Sequence, residues 1–286
     1  MDETHVRAEE VLSETPLIES YIDGLSISRK ASPIAKIVAK GGGRSGQRTG
    51  GRVLGKGSPE GIAKPAPLPE KLSAAVDAGS ILSFVDGVDA REQSDILYSV
   101  QLAQRAADAA CNRFVETKTW YGKYNEVLEA VGWATEQYAF SAHEQGQGNF
   151  RMDKAALGVI TGIASGNQLQ ALTSSIAALE KLAEDDGAIT LLDYYATADM
   201  SGNFQIGGVQ KSKNGSLSMA LGAFYFRTTA KRKKFLFFQW GANEVNFWTA
   251  AQKMTLNTAI YEKVRSAVEK RLGEKALEHI ASIDIR

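Results

Sequence analysis

The spacing of apolar positions divides the chain into a helical stretch and a later stretch of period two. From Asp89, a candidate N-cap, residues Ile96, Val100, Ala103, Ala107, Ala110 and Phe114 recur every three or four positions and share one helical face. Trp120, Tyr124, Val127, Val131, Ala134 and Tyr138 predict a second helix, stopped by Gly146 to Asn149. Asp153 caps a predicted third, in which Leu169, Leu172, Ile176, Leu179 and Leu182 fall in register before Asp185-Asp186-Gly187 ends it. Segments 189–195, 204–209, 216–227, 235–240 and 245–256 are then rich in aromatic and β-branched residues between turn signals, which predicts strands. Asn214-Gly215 predicts a type I′ hairpin turn. Asn257 caps a last helix carrying Ile260, Val264, Val268 and Leu272, closed by Gly273.

The fold class this pattern predicts is α+β: an N-terminal disordered arm over 1–69, a helical bundle of three long helices over 70–186, and over 187–286 an antiparallel β-meander covered by a C-terminal helix. The second and third regions are expected to pack as one body. The boundary near residue 69 comes from composition. All six prolines lie at or before Pro69, so the rest runs without a residue that removes a backbone donor. Within the arm, the first 28 residues hold seven acidic side chains and one base, Arg7, whereas 29–64 hold nine bases and one acid, Glu60. The arm's many glycines make it costly to order except on a partner.

Charge and cysteine usage narrow the function classes. Thirty-three basic against 33 acidic residues give a net charge of zero, so nucleic acid is disfavoured as a partner and any anionic surface must be met by a local patch. The single Cys111 cannot form an intrachain disulfide. No run reaches the roughly 18 apolar residues of a membrane-crossing helix. Residues 1–10 are polar and acidic, so cytoplasmic synthesis is expected, with any export by a route that reads no cleavable signal peptide.

Motifs for catalysis are thin. Gly41, Gly43 and Gly46 match G-x-G-x-x-G, and 50–57 reads G-x-x-x-x-G-K-G, but each works only between a strand and a helix, and here the flanks are Gly/Pro-rich. Gly57 also stands where a magnesium-binding hydroxyl belongs. His5, His143 and His279 have no ligand spacing, so neither a metal nor another cofactor is expected. Cys111 reads as an inert core thiol rather than a nucleophile, and the pairs Glu126/Glu129 and Glu136/Glu144 as exposed helix faces. No enzyme class gains a named residue, and only a site assembled from distant residues would supply one.

Two segments point to surfaces. Residues 155–179 carry no formal charge, and Gly158, Gly162 and Gly166 recur every fourth position. Such spacing allows close helix approach, either as a seam inside a soluble bundle or as the wall of an oligomeric pore. Lys231, Arg232, Lys233 and Lys234 then precede Phe235, Phe237 and Trp240, with Trp248 on the next segment. Cations beside aromatics suit an anionic headgroup layer, while a buried strand with a solubilising lysine turn explains the same pattern. The order of elements is loosely similar to several bacterial pore-forming and injected proteins and brings no functional residue with it. The expected function is therefore a membrane-active, toxin-like protein, pore-forming or membrane-perturbing, which stays soluble until it forms a homo-oligomer on a lipid bilayer. The alternative is a non-enzymatic protein-binding or assembly module whose arm orders on a protein partner.

Overall fold

The computed structural model describes residues 15–28, 34–37, 74–135, 139–143, 149–241 and 243–282. They build an α+β fold in which helices cover both faces of one mixed sheet. The elements are α1 (15–24), β1 (Ile34–Lys36), β2 (Ala74–Asp77), β3 (Ser80–Phe84), α2 (Ala90–Ala110), α3 (Thr117–Ala130), β4 (Trp133–Ala134) and β5 (Ser141–Ala142). They continue with α4 (Met152–Thr161), α5 (Gly166–Glu180), α6 (Gly187–Ala196), β6 (Thr197–Ala198), β7 (Ser201–Lys211), β8 (Leu217–Thr228), β9 (Val245–Leu256) and α7 (Thr258–Ser282). Strand order is β1-β2-β3-β7-β8-β9-β4, with β5 on β9 and β6 on β7. The predicted meander is β7-β8-β9, and it joins β3 in parallel, Ile81 opposite Ile206.

Strand register sorts the side chains into two layers. Residues at Leu82, Val209, Met219, Leu221, Ala223 and Met254 pack under α2, α3 and α7, with Ile96, Val100, Tyr124, Val127, Val264 and Val268 facing them. Ile81, Phe204, Ile206, Phe224, Phe226 and Phe247 point the other way, against Ile160 of α4, Leu172 and Ile176 of α5 and Leu192 of α6. A core on each side of a sheet explains why the strands are apolar at successive positions rather than alternating.

Local chemistry sets the helix ends. Asp89 and Glu92 form a capping box on α2, each side chain accepting the other's backbone N–H at 2.9 Å. Asn257 accepts the Ile260 N–H at 3.2 Å at the start of α7. The second predicted helix was expected to reach Tyr138 but stops at Val131, because Gly132 takes a φ of +102° and Asn257 donates to its carbonyl at 2.8 Å, turning the chain into β4.

Several expectations are corrected. The segment 189–195 is helix α6, capped by Asp186, because Ile189, Leu192 and Ala196 fall on one buried face. The segment 235–240 is a series of turns rather than a strand, joined to the fold by a bridge in which Phe150 and Trp240 exchange N–H···O bonds of 2.8 Å. At Asn214-Gly215 only Gly215 has positive φ, +87°, and Ser212 and Ser216 bracket a three-residue loop, so the turn is not type I′. Gly273 does not close the last helix, which continues to Ser282. Strands β2 and β3 fall in the region expected to be wholly helical. Two pieces of the expected disordered arm are ordered: Ile22, Leu25 and Ile27 are buried, Arg105 donates to Ser28 O, and β1 pairs with β2. The rest of the arm, with both glycine patterns, lies outside the described residues.

Candidate functional site

The uncharged segment 155–179 is two helices, not one. Ser165 and Gln168 form a capping box, Ser165 Oγ accepting the Gln168 N–H at 3.2 Å and Gln168 Oε1 accepting the Ser165 N–H at 2.9 Å, so a new helix starts after the turn at Gly162. The expected helix-helix seam within the fold is also corrected. A Cβ at Gly158 or Gly166 would meet nothing within 4 Å, and one at Gly162 only the Val159 carbonyl of its own helix. All three glycines are exposed. The lock between α4 and α5 is instead ionic, Arg151 gripping Asp153 at 2.9 and 2.8 Å and Glu180 at 2.7 Å.

The basic–aromatic connection between β8 and β9 separates into parts with different surroundings. Lys231, Arg232 and Lys233 are exposed. Lys234 turns inward at a φ of +48°, donating from Nζ to the carbonyls of Glu180 and Leu182 at 2.7 and 2.9 Å, while its N–H donates to Asp193 at 2.8 Å. It fastens the end of α5 and is not offered to a ligand. Phe235 and Trp240 are core residues, Phe235 packing against Phe204 and Phe226 with ring centroids 5.4 and 5.1 Å apart. Phe237 is half-buried, under the Lys234 ammonium. Trp248 packs on Tyr225 at 5.3 Å on the opposite face of the sheet, so it is not brought to this site.

What these residues surround is a cavity of about 330 Å³ between the end of α6, the β6–β7 turn and the 229–241 connection. Phe226, Phe235 and Trp240 lie at its base, and Lys231, Arg232 and Lys233 at its mouth. Two large apolar side chains stand out here, Tyr194 at 61% exposure in the lining and Met200 at 49% on the β6–β7 turn, whose carbonyl accepts the Thr228 N–H at 2.7 Å. Neither was singled out from the sequence, where each is one apolar residue in a mixed neighbourhood.

The sheet face beneath α2 and α3 carries a second feature that no local spacing announced. Asp77, Ser80, Asn203, Gln205 and Gln252 all point to that side and are all buried. Helix side chains meet them: Gln101 donates to Asp77 at 3.0 Å, Gln104 to Ser80 at 3.0 Å and Tyr121 to Asn203 at 2.8 Å, while Gln252 donates to Asn125 at 3.2 Å. The match is incomplete, since Asp77 Oδ2, Gln205 Nε2 and Tyr124 Oη lack a partner at bonding geometry. Burial pushes the Asp77 carboxyl up to about 8, against the Gln101 bond and the nearby Arg113 charge. Arg113 itself is bound to Asp108 at 2.9 Å.

Other candidates resolve into structure. Burial, then the Glu116 and Asp108 carboxylates, hold the half-buried Cys111 thiol above its ordinary value, the reverse of an activated nucleophile. Glu126 accepts from Lys123 at 2.7 Å and Tyr21 at 2.8 Å, bonds that lower its carboxyl and link α3 to α1. Among the described residues no three His, Cys, Asp or Glu side chains converge as a metal set, and no helix is long and apolar enough to cross a membrane.

No family model matches the chain, and no curated protein matches it. Three solved structures resemble it in fold at 9% identity each. The Evf virulence factor covers 93% of this chain and 90% of its own at a TM-score of 0.34. The activated Cyt2Ba monomer from Bacillus thuringiensis subsp. israelensis covers 62% and 95% at 0.36. A delta-endotoxin covers 73% of this chain and 91% of its own at 0.40, so the likeness to toxin structures is one of coarse fold.

Proposed function

We propose that the chain is a membrane-active, toxin-like protein that stays soluble until it meets a bilayer, where it forms a homo-oligomer and perturbs the membrane. The observation that supports this most is the length of the central strands together with the aromatic cluster on one face of their sheet. Strands β7, β8 and β9 are 11, 12 and 12 residues long, enough for a strand to cross a bilayer, which takes roughly 9–11. Toward α4–α6 their shared face is built on Phe204, Phe224, Phe226 and Phe247, and Thr249, Lys253 and Thr255 continue it along β9. Toward α2–α3 it mixes the buried amides Asn203, Gln205 and Gln252 with the apolar Val209, Met219, Leu221 and Met254. Gly158, Gly162 and Gly166 have no part in this reading.

The test is dye release from vesicles of phosphatidylcholine and phosphatidylglycerol (3:1) at micromolar protein, followed by protease treatment. Release together with protection of 201–256 is expected. Intact vesicles at every protein-to-lipid ratio would remove the reading.

A further inference from the structure

We propose that the cavity between α6 and the 229–241 connection is a phosphate site that takes the headgroup of an anionic phospholipid. It rests on the membrane reading and adds a ligand class and a place.

The argument begins with which cations are available. Lys234 is bound to main-chain carbonyls and faces away. Lys231 pairs with Asp199 at 3.4 Å, but the two side chains are 67% and 96% exposed, so a ligand can take that ammonium from its partner at little cost. Arg232 is exposed and stands over the Phe238 ring at 4.8 Å, and a guanidinium binds phosphate through its edge while its face stacks on a ring. Lys233 is exposed and makes no salt bridge at contact distance among the described residues, although its charge acts on the Asp193 carboxyl. Of the two carboxylates in the lining, Asp193 is turned to the backbone and accepts the N–H groups of Lys234 and Phe235. The lining thus carries three cations against two acids, an excess of one positive charge. That suits a singly charged phosphodiester better than free phosphate, which carries more charge.

The shape points the same way. At about 330 Å³ the cavity is at the small end of ligand sites and holds a headgroup with its glycerol, not acyl chains. Its base is aromatic, exposed Tyr194 lines it, and exposed Met200 lies between the lining residues Asp199 and Ser201 on the β6–β7 turn, so both would enter the interface when the headgroup is seated. A cationic mouth beside an apolar rim matches an amphiphile whose anionic end is seated while its chains stay outside.

The experiment titrates the full chain with dihexanoylphosphatidylglycerol below its micellar concentration, read by tryptophan emission, since Trp240 lies at the base. Dihexanoylphosphatidylcholine and inorganic phosphate are the comparison ligands. We expect saturable binding of the glycerol lipid, at least tenfold weaker in the double variant R232A/K233A and within twofold of wild type in K118A/K213A, which removes two distant exposed lysines. Equal binding by R232A/K233A, equal affinity for phosphatidylcholine, or no saturation would overturn the site. Inorganic phosphate binding as tightly as the lipid would make it an ion site and overturn the lipid assignment. Vesicle leakage separates the two ideas: short-chain lipid binding without leakage keeps the site and removes the membrane reading, whereas undiminished leakage by R232A/K233A removes the site alone.

Discussion

Replacing Asp77 by asparagine tests whether a buried acid controls how firmly the α2–α3 layer sits on the sheet. Asp77 is fully buried at the end of β2, bound through Oδ1 to Gln101, with Oδ2 unpartnered. In the unfolded chain its pKa returns to about 3.9, whereas burial holds the folded-state value at about 8. Between these limits the folded protein keeps a proton that the unfolded chain releases. Its contribution to stability is therefore fully present below pH 4 and is lost as pH rises through 8. The slope approaches about 1.4 kcal/mol per pH unit, so between pH 5 and 7 this one group should account for roughly 2–3 kcal/mol of lost stability. An amide at this position cannot ionise and keeps the shape of the protonated acid, so D77N should gain about that much relative to wild type over the same interval. Urea unfolding of both proteins at pH 5, 6 and 7 measures the difference. Parallel stability curves for the two proteins would refute the reasoning. Hydrogen exchange localises it: above pH 8, α2 amides should lose protection in wild type and keep it in D77N.

The same contacts fix further outcomes. Arg265 holds Asp95 through two 2.7 Å bonds between α7 and α2; Arg265→Met should cost about 3–5 kcal/mol because Asp95 is left buried and unpaired, and adding Asp95→Leu should recover most of it in urea titrations. Lys234→Met removes two charged bonds to α5 carbonyls and should cost roughly 1.5–3 kcal/mol, whereas Lys233→Ala, at the neighbouring position of the same basic run, should stay within about 0.5 kcal/mol. At Gly202 the Phe226 ring lies against the backbone, so the Cβ of Gly202→Ala would fall inside its contact distance. Displacing that ring should lower stability by roughly 1–3 kcal/mol, visible as a lower melting temperature.

What the sequence made legible, and what it hid, follows from the range over which each signal acts. Asp89 with Glu92, and Asn257 with Ile260, are decided within one helical turn, so the starts of α2 and α7 could be read. The long strands β7, β8 and β9 were legible for the same reason, as sustained runs bounded by turns. The segment around Ile189 misled because its aromatic and β-branched residues outweighed a buried i, i+3, i+7 set that only packing on β1, β2 and β7 selects. The basic run misled in a different way. Four consecutive cations look alike in a string, yet Lys234 at positive φ points back to α5 while its three predecessors face solvent, and that difference depends on carbonyls 52 and 54 residues away.

The buried polar band is the strongest case of distance defeating pattern. Asp77, Gln205 and Gln252 come from three strands, and each reads in isolation as an ordinary surface residue. Burying them is costly unless α2 and α3 supply partners, and three atoms remain without one. On the α4–α6 side of the same strands the stacked Phe204, Phe224 and Phe247 rings meet no such demand for partners. The band shares its face with Val209, Met219, Leu221 and Met254, so parting α2 and α3 from the sheet would uncover apolar surface along with the amides that water can solvate, and the aromatic cluster across the strands would stay covered by α4–α6.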